Sequence, residues 1–459
     1  MEQTKRKGLS IFERFAFGCG DGGCNIIYTA MTGFLLLYYT DYAGVNAGAV
    51  GIIMLISRVF DGISDLVMGN IVDHTHSRFG KARPWILRMC IPFALAGVLL
   101  FSVPADWTSN AKLIYVFITY NLVSTVIYTA INVPYSALNA LMTQDPYERS
   151  VLSVFRNLLA TAGSLFINTY TLKLVEFFGD NAAAWSKTFG VFGLVSVILF
   201  LITFAGCKER VRAAGVAEGE IQKVSTKDAF LSLFKNKYWI IVTVMLALIF
   251  ISMALYGGAT VYFAKTVLND RNLVTPIGNA VYIAQIVTMF IVAFFVKKFG
   301  KRNVMLAGCV FNIAGFVFML LTSKYVLIMA CSVLRGVASA CMGATMWAMV
   351  SDTIDYGEWK TGNRTEGVVN SACSFGYKIG NGLGSAILGW IITLGGYVDT
   401  TEVQSAQAIF SVKLAFAIIP VIIYVVIIVL LQWYKLDKEF DGIIADLKAR
   451  AEEKAKSRS

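Results

Sequence analysis

The chain has 459 residues, of which 57% are hydrophobic and only 15% are charged. A soluble protein carries roughly a quarter charged residues, so this chain has too few polar groups to cover a surface that faces water. The composition therefore excludes an ordinary soluble protein and indicates one that lipid surrounds. The net charge of +11 is compatible with nucleic-acid binding, but the distribution of the basic residues favours another explanation.

A helix needs about 20 apolar residues to cross the hydrocarbon core of a membrane. In the first half of the chain, segments of this kind predict helices at 12–40, 47–72, 84–104, 112–142, 150–178 and 186–206. In the second half they predict helices at 238–267, 276–297, 303–322, 325–350, 367–396 and 406–434. The predicted fold class is therefore all-α and integral to the membrane, with twelve transmembrane helices numbered in chain order.

The longest polar interruption divides the predicted helices into two groups of six. We expect an N-terminal bundle at 1–207, a cytoplasmic central loop at 208–237, a C-terminal bundle at 238–434 and a cytoplasmic tail at 435–459. The loops after predicted helices 2 and 8 are similar, with RFGK at 78–81 and KFGK at 298–301. Two related six-helix halves are typical of the major facilitator fold.

The 40 Lys and Arg residues fall mostly in loops on one predicted side of the membrane. Because basic short loops stay in the cytoplasm, this bias predicts that both termini are cytoplasmic. Attraction to anionic lipid accounts for the basic balance, so we expect membrane lipid, and not nucleic acid, as a partner. Apolar residues at helical spacing in the tail predict a further helix that lies on the membrane.

Ionisable side chains inside a predicted membrane helix cost about 2.5–3.5 kcal/mol each on insertion scales, so each requires a partner or a function. Predicted helix 2 carries Arg58, Asp61 and Asp65 at a spacing that places them on one face. Two carboxylates one turn apart suit a small cation, either a proton or a sodium ion held by hard oxygens. Arg58 or Lys378 would balance their charge when the cation is absent. A structural pair of Arg58 with Asp61 is the alternative, and it leaves the other carboxylates unexplained.

A second group of side chains suits a polyhydroxylated ligand such as a sugar. Asp21 and Arg156 can make bidentate hydrogen bonds to adjacent hydroxyls. Tyr128 and Asn132 lie one turn apart on predicted helix 4, and Trp347 on predicted helix 10 offers a flat face to a pyranose ring. Packing in the core or at the lipid interface is the alternative interpretation of both aromatic residues.

Further charged residues lie at the predicted cytoplasmic ends of helices 2, 3 and 10. They are Asp73, Arg78, Arg83, Asp352, Asp355 and Glu358. Solvated helix ends are one interpretation. The other is an inner gate of ion pairs that breaks when the central site opens to the cytoplasm.

Motifs for catalysis and metal binding are missing from the chain. It contains no GxSxG, HExxH or GxxxxGK[ST] pattern, and the pair of histidines at 74 and 76 lacks the spacing of a helical metal site. We therefore predict that the protein is not an enzyme and that it uses no metal site and no cofactor beyond a coupling ion, H⁺ or Na⁺.

Five stretches, in this order, resemble the glycoside–pentoside–hexuronide cation symporters, the family that includes melibiose permease. They lie at 18–21, 58–65, 77–85, 128–135 and 352–360, and the similarity extends over nearly the whole chain apart from the tail. The resemblance implies the major facilitator fold in a bacterial inner membrane. It also implies cation-coupled symport of a sugar, glycoside, pentoside or hexuronide, and we expect a functional monomer.

The resemblance also implies roles for individual residues. It places the cation site at Asp61 and Asp65 and the sugar contacts at Asp21 and Arg156. Tyr128 matches a position that lines the sugar site.

Lys378 matches a position that links the two sites, and Arg58 matches the charged network beside the cation. The chain departs from melibiose permease at Asn132, where that protein has an aspartate, at Gly20, where it has a lysine, and at Ser136, where it has a tryptophan. Glucuronide- and xyloside-type relatives share the asparagine. Loss of one carboxylate oxygen weakens a sodium site more than a proton site, so we favour H⁺ over Na⁺.

Two other functions stay open at the level of sequence. A carrier of a lysolipid or another amphiphile would have a cavity that opens sideways to the bilayer and few sugar-like polar groups, and Asp21 and Arg156 count against it. A non-transporting membrane sensor would bring a sizeable soluble domain, and neither the central loop nor the tail is long enough to form one.

Overall fold

The computed structural model describes residues 9–143, 146–210, 234–361, 366–398, 401 and 403–456. In the first half of the chain it contains the helices α1 Ile11–Gly33, α2 Ala47–Asp73, α3 Arg83–Leu100, α4 Ser109–Met142, α5 Pro146–Phe177 and α6 Ala182–Gly206. In the second half it contains α7 Lys237–Thr266, α8 Val274–Phe299, α9 Lys301–Leu321, α10 Tyr325–Thr361, α11 Glu366–Leu394 and α12 from Ala406 to Trp433. The tail forms α13 Leu436–Lys456.

In the part of the chain that the structure describes, nine helices are long and apolar enough to cross a membrane. The three other long helices before the tail, α1, α2 and α11, carry charged residues predicted for the central site, namely Asp21, Arg58, Asp61, Asp65 and Lys378. The count of twelve spans stays a prediction.

Polar side chains define where several helices begin. The hydroxyl of Ser10 accepts a hydrogen bond from the backbone N–H of Glu13, and the Glu13 carboxylate accepts one from the backbone N–H of Ser10. At the start of α2, the side chain of Asn46 accepts a hydrogen bond from the backbone N–H of Ala49. Such caps satisfy backbone N–H groups that have no partner within the helix. Gly300, with φ of 79°, allows the chain to reverse directly between α8 and α9.

Helix α10 is longer than predicted. Its 37 residues span about 55 Å at 1.5 Å per residue, well beyond the thickness of a hydrocarbon core. The predicted gate residues Asp352, Asp355 and Glu358 therefore lie on a helical extension of α10.

The described chain contains three widened π-helical turns. These turns lie at Tyr38–Tyr42, which follows α1, at Leu122–Ile127 within α4 and at Leu414–Ile418 within α12. Such turns are rare and are frequently found at functional sites. The turn within α4 packs against α2, the helix with the charged face.

Small residues permit close packing within each half. A Cβ atom added to Gly163 of α5 would lie 2.9 Å from the carbonyl oxygen of Gly22 on α1. One added to Gly380 of α11 would lie 2.4 Å from the carbonyl oxygen of Ala247 on α7. The first contact places α5 directly beside the segment of α1 that carries Asp21. The second places the segment of α11 that carries Lys378 directly against α7.

The two halves meet along three pairs of helices, α1 with α7, α2 with α11 and α5 with α8. We call the end of the molecule that holds Ser10 and Leu436 the near end, and the opposite end the far end. At the far end, a Cβ on Gly51 of α2 would lie 2.9 Å from Ala386 of α11. The halves are therefore in backbone contact there.

The tail is helical, as predicted, and it contacts the near ends of α9 and α10. The backbone N–H of Arg302 donates to Asp437 at 2.8 Å, and the indole N–H of Trp359 donates to Asp446 at 3.0 Å. The described polar contacts of α13 are thus made with the second half of the protein. Its contact with the membrane stays a prediction.

Candidate functional site

Asp61 lies in a buried network on α2. Its side chain is 2% exposed, and it accepts a hydrogen bond from Arg58 Nη1 at 2.8 Å. The other terminal nitrogen of Arg58 donates to the hydroxyl of Tyr120 on α4 at 2.6 Å. The pairing of Arg58 with Asp61, considered above as the structural alternative, is therefore present.

The π-helical turn of α4 supplies two more donors to the same carboxylate. Ser124 and Thr125 donate to Asp61 Oδ1 at 3.1 and 2.5 Å. In return, the hydroxyl of Ser64 on α2 donates to the carbonyl oxygen of Thr125. Because the turn is widened, two successive hydroxyls reach one acceptor. Ser124 and Thr125 were not among the predicted site residues, and the run of hydroxyl side chains on predicted helix 4 is the signal in the sequence that points to them.

Asp65 is held differently from Asp61. Its side chain is 30% exposed and forms an ion pair with Lys378 on α11, in the other half of the protein. Thr129 on α4 donates to its second oxygen at 3.1 Å. The structure therefore brings the predicted cation-site carboxylate and the predicted linking lysine into direct contact.

Asp21 and Arg156 also form a pair, between α1 and α5. Nε of Arg156 lies 3.3 Å from one oxygen of Asp21, and Nη2 lies 3.4 Å from the other. The guanidinium group is 5.3 Å above the ring of Tyr135, which orients it. The Arg156 side chain is 32% exposed, so its hydrogen-bonding groups are open to a ligand.

The absence of a side chain at position 20 has a structural reason. A Cβ atom on Gly20 would lie 2.4 Å from the ring of Tyr135, and the hydroxyl of Tyr135 donates to the carbonyl oxygen of Phe17 at 2.8 Å. The tyrosine therefore occupies the space next to Asp21 that a lysine side chain would need. The local shape of the site differs here from the one that the resemblance to melibiose permease implied.

Tyr128 and Asn132 belong to a polar chain that crosses between the halves. The amide of Asn132 donates to the hydroxyl of Tyr128 at 3.4 Å, and the ring of Tyr128 stacks on Tyr28 of α1 at 5.8 Å. The hydroxyl of Tyr28 accepts from Asn381 of α11 at 2.8 Å. Tyr28 and Asn381 were missed in the sequence, although Asn381 lies one turn after Lys378.

Trp347 lies on α10, in the second half of the protein. Its side chain is 45% exposed, and its ring lies 6.2 Å from that of Tyr377 on α11, edge to face. Tyr377 precedes Lys378 in the chain. The tryptophan is therefore not a core residue, and its binding role stays a prediction.

The predicted inner-gate residues make described contacts within their own halves. Arg83 donates to the carbonyl oxygen of Phe204 at 2.6 Å, and Lys301 pairs with Asp352 at 2.5 Å. The first contact stays within the first half and the second within the second half.

The other predicted gate residues are Arg78, Asp355, Glu358 and Asp73. Arg78 lies over the ring of its neighbour Phe79 at 4.7 Å, and Asp355 and Glu358 are half-buried. The side chain of Asp73 lies outside the described part of the structure. The inner gate stays a prediction.

Comparison with known proteins places the chain in a family. It matches the family described as MFS/sugar transport protein over residues 16–438. It is 33% identical to the isoprimeverose transporter of Lactiplantibacillus pentosus over 445 residues, 95% of this chain and 91% of that protein. It is 32% identical to the inner membrane symporter YicJ of Escherichia coli (strain K12) over 438 residues, 94% of this chain and 93% of that protein.

Solved structures give the same answer for the fold. The crystal structure of a D-xylose-proton symporter superimposes with a TM-score of 0.65 at 13% identity, over 91% of this chain and 97% of that one. The crystal structure of the nucleoside transporter NupG does so with a TM-score of 0.59 at 16% identity, over 91% of this chain and 98% of that one. The chain is thus a multi-pass membrane transporter with the major facilitator fold, and it belongs to the MFS/sugar transport protein family.

Proposed function

We propose that this protein is a symporter that couples a sugar or glycoside to a cation and works by alternating access. One observation carries the proposal: an ion pair between Asp65 of α2 and Lys378 of α11 joins the two halves at the predicted cation site. A cation that binds Asp65 competes with the ammonium group of Lys378. Its binding therefore acts directly on the contact between the halves.

The charges around α2 balance when the coupling cation is absent. Arg58 compensates Asp61, and Lys378 compensates Asp65. The hydroxyl of Thr129, at 3.1 Å from Asp65, adds a hard oxygen of the kind that sodium prefers. We favour H⁺, because Asn132 provides an amide where a further carboxylate would strengthen a sodium site.

The pair of Asp21 and Arg156 forms the polar centre of the proposed sugar site. A charged donor next to a charged acceptor can bind adjacent hydroxyls of one sugar ring, and here Arg156 is partly exposed while Asp21 is largely buried behind it. The contact of Tyr28 with Asn381 extends this site to the second half. A sugar that touches both halves favours a closed cavity together with an occupied cation site, and this joint preference couples the two cargoes.

The relatives support the class of cargo and the location. One is named a transporter of isoprimeverose and another an inner membrane symporter. By extension we propose a sugar or glycoside as the substrate, the inner membrane as the location, cytoplasmic termini and a functional monomer.

Counterflow in proteoliposomes tests the proposal. Vesicles with the purified protein are loaded with one glycoside at a time and assayed at several pH values, with and without sodium. We expect counterflow of at least one sugar or glycoside and uphill uptake driven by an inward proton gradient. Asp106→Asn, at an exposed loop position, is the matched control and should leave both unchanged.

Two outcomes contradict the proposal separately. If no sugar or glycoside shows counterflow, the substrate class is wrong. If counterflow occurs but no gradient of H⁺ or Na⁺ drives accumulation, the protein is a carrier without cation coupling.

A further inference from the structure

A first polar cluster joins the halves at the far end. Lys265 of α7 lies 2.8 Å from Asp41, which belongs to the π-helical turn after α1. The hydroxyl of Tyr397, after α11, donates to the same oxygen of Asp41 at 3.3 Å. Beside them, Thr40 and Tyr262 share a hydrogen bond of 3.0 Å. A single carboxylate of the first half thus holds two separate segments of the second half.

A second cluster lies next to the first. Nη2 of Arg271 donates to the hydroxyl of Tyr42 at 2.7 Å, and that hydroxyl donates to Asp180 at 2.7 Å. Arg271 also pairs with Asp180 at 3.3 Å. Arg271 lies between α7 and α8, in the second half. Tyr42 ends the π-helical turn after α1 and Asp180 lies between α5 and α6, so this cluster also crosses between the halves.

The charged clusters border on water. They surround a cavity of about 160 Å³ that is lined by Leu37, Asp41, Tyr42, Val261, Lys265 and Arg271. The side chain of Lys265 is 33% exposed and that of Asp41 is 9% exposed, while in the second cluster Arg271 is 35% and Asp180 is 47% exposed. An ion pair with access to water contributes only about 0–1 kcal/mol, because water solvates the separated charges well. The ion pairs of the two clusters are therefore weak enough to break and re-form reversibly.

A third, uncharged contact closes the same end between α5 and α8. The amide of Asn168 donates to Asn279 at 2.9 Å and to the carbonyl oxygen of Thr275 at 3.0 Å. A Cβ on Gly278 would lie 2.4 Å from Asn168, so the helices are in direct contact. All three pairs of helices that join the halves are thus closed at the far end.

The ion pairs that the structure describes at the near end have a different pattern. Arg14 pairs with Glu148 at 2.9 Å, and Glu13 pairs with Arg210. Both pairs lie within the first half, and the pair of Lys301 with Asp352 described above lies within the second. These pairs brace each half and do not join the two.

We infer that Asp41, Lys265 and Tyr397, with the neighbouring cluster of Tyr42, Asp180 and Arg271, form the outer gate of the transporter. With cytoplasmic termini, the far end faces the outside of the cell. The gate closes the entrance behind an incoming substrate and separates once in every cycle. This inference rests on the alternating access proposed above, and it assigns a role to residues outside the central site.

A reversible cross-link tests whether the gate must open. The eight native cysteines are buried, so a membrane-impermeant reagent reaches an introduced pair first. We expect a cleavable bifunctional thiol reagent that joins Tyr42→Cys to Arg271→Cys to reduce uptake at least tenfold, and cleavage of the bridge to restore it. The single-cysteine variants, treated with the same reagent, are the controls. Undiminished uptake by protein shown by mass spectrometry to be bridged would overturn the inference.

The rate at which an external thiol reagent labels a cysteine beneath the gate tests the gate without a transport assay. Thr32→Cys places a reporter thiol on α1, half-buried and next to Gly257 of α7. Adding Asp41→Asn or Lys265→Gln should speed its labelling from outside about fivefold, the size of effect expected for loss of one water-accessible ion pair. Exchanging the two charges, with Asp41→Lys and Lys265→Asp together, should restore part of the protection.

The outcomes separate the two proposals. Equal labelling rates in the parent and in both single variants would overturn the gate, even if the protein transports sugars normally. Faster labelling in the variants of a protein that shows no counterflow for any sugar would support the gate and overturn the proposed function.

Discussion

Asp61 and Asp65 lie one turn apart on the same face of α2, yet they differ in burial and in the half of the protein that supplies their partners. Asp61 is 2% exposed, and its described donors belong to the first half of the protein. Asp65 is 30% exposed, and its basic partner comes from the second half. A buried pair costs several kcal/mol to break, whereas a partly exposed one costs far less. We therefore interpret Asp61 as the fixed charge of the site and Asp65 as the exchangeable one.

The largest effect is expected for Asp61→Asn. This change leaves Arg58 buried without a counter-charge, so the variant should lose about 3–5 kcal/mol of stability. It should also abolish uphill accumulation. Thermal unfolding in detergent measures the first effect and gradient-driven uptake the second.

A double variant separates stability from coupling at Asp61. Arg58→Met together with Asp61→Leu removes both charges and should recover much of the stability while uphill uptake stays absent. Wild-type stability in Asp61→Asn alone would contradict the idea of a fixed, buried charge.

Asp65→Asn should affect transport far more than stability. The pair with Lys378 is partly exposed, at 30% for Asp65 and 11% for Lys378, so the unfolding temperature should fall less than in Asp61→Asn. Uphill accumulation should be lost, while counterflow of the sugar is retained. Asp106→Asn is again the control. If both Asp61→Asn and Asp65→Asn retain uphill uptake, the cation site has been assigned to the wrong residues.

Lys378→Gln should shift the cation dependence without abolishing sugar binding. The variant removes the ammonium group that competes for Asp65, so the coupling cation should reach half-saturation at a concentration several-fold lower. Sugar binding measured against proton or sodium concentration tests this. An unchanged concentration dependence would mean that Lys378 does not compete with the cation.

Thr129→Val should have the smallest effect, and it distinguishes the two cations. The variant keeps the shape of the side chain but removes the hydroxyl that lies 3.1 Å from Asp65, an interaction worth about 1 kcal/mol. If sodium is the cargo, its affinity should fall several-fold, because one oxygen ligand is lost. If H⁺ is the cargo, as we favour, sodium should have no effect on either protein.

The family resemblance and the all-α membrane fold predicted from the sequence are confirmed. Composition and helix-length stretches of apolar residues were sufficient for the fold class, since only lipid can cover so apolar a surface, whereas the family was recognised from the five similar stretches. The division into domains, the inner gate and the coupling ion stay predictions.

The spacing of Arg58, Asp61 and Asp65 by itself determined that the three share one face of a helix, because 3.6 residues complete each turn. It also made the local pair of Arg58 with Asp61 foreseeable. Which carboxylate would meet a charge from the other half could not be read from spacing. A helical period specifies the direction of a side chain but not the helix that lies opposite.

Only the tertiary structure decided the remaining contacts. It turned the hydroxyls of a π-helical turn towards Asp61, set Lys378 against Asp65 and brought Asp41 to Lys265 across the two halves. Residues 224 positions apart in the chain meet in the last of these pairs. Such contacts depend on how two bundles pack against each other, and no local pattern in the sequence records that arrangement.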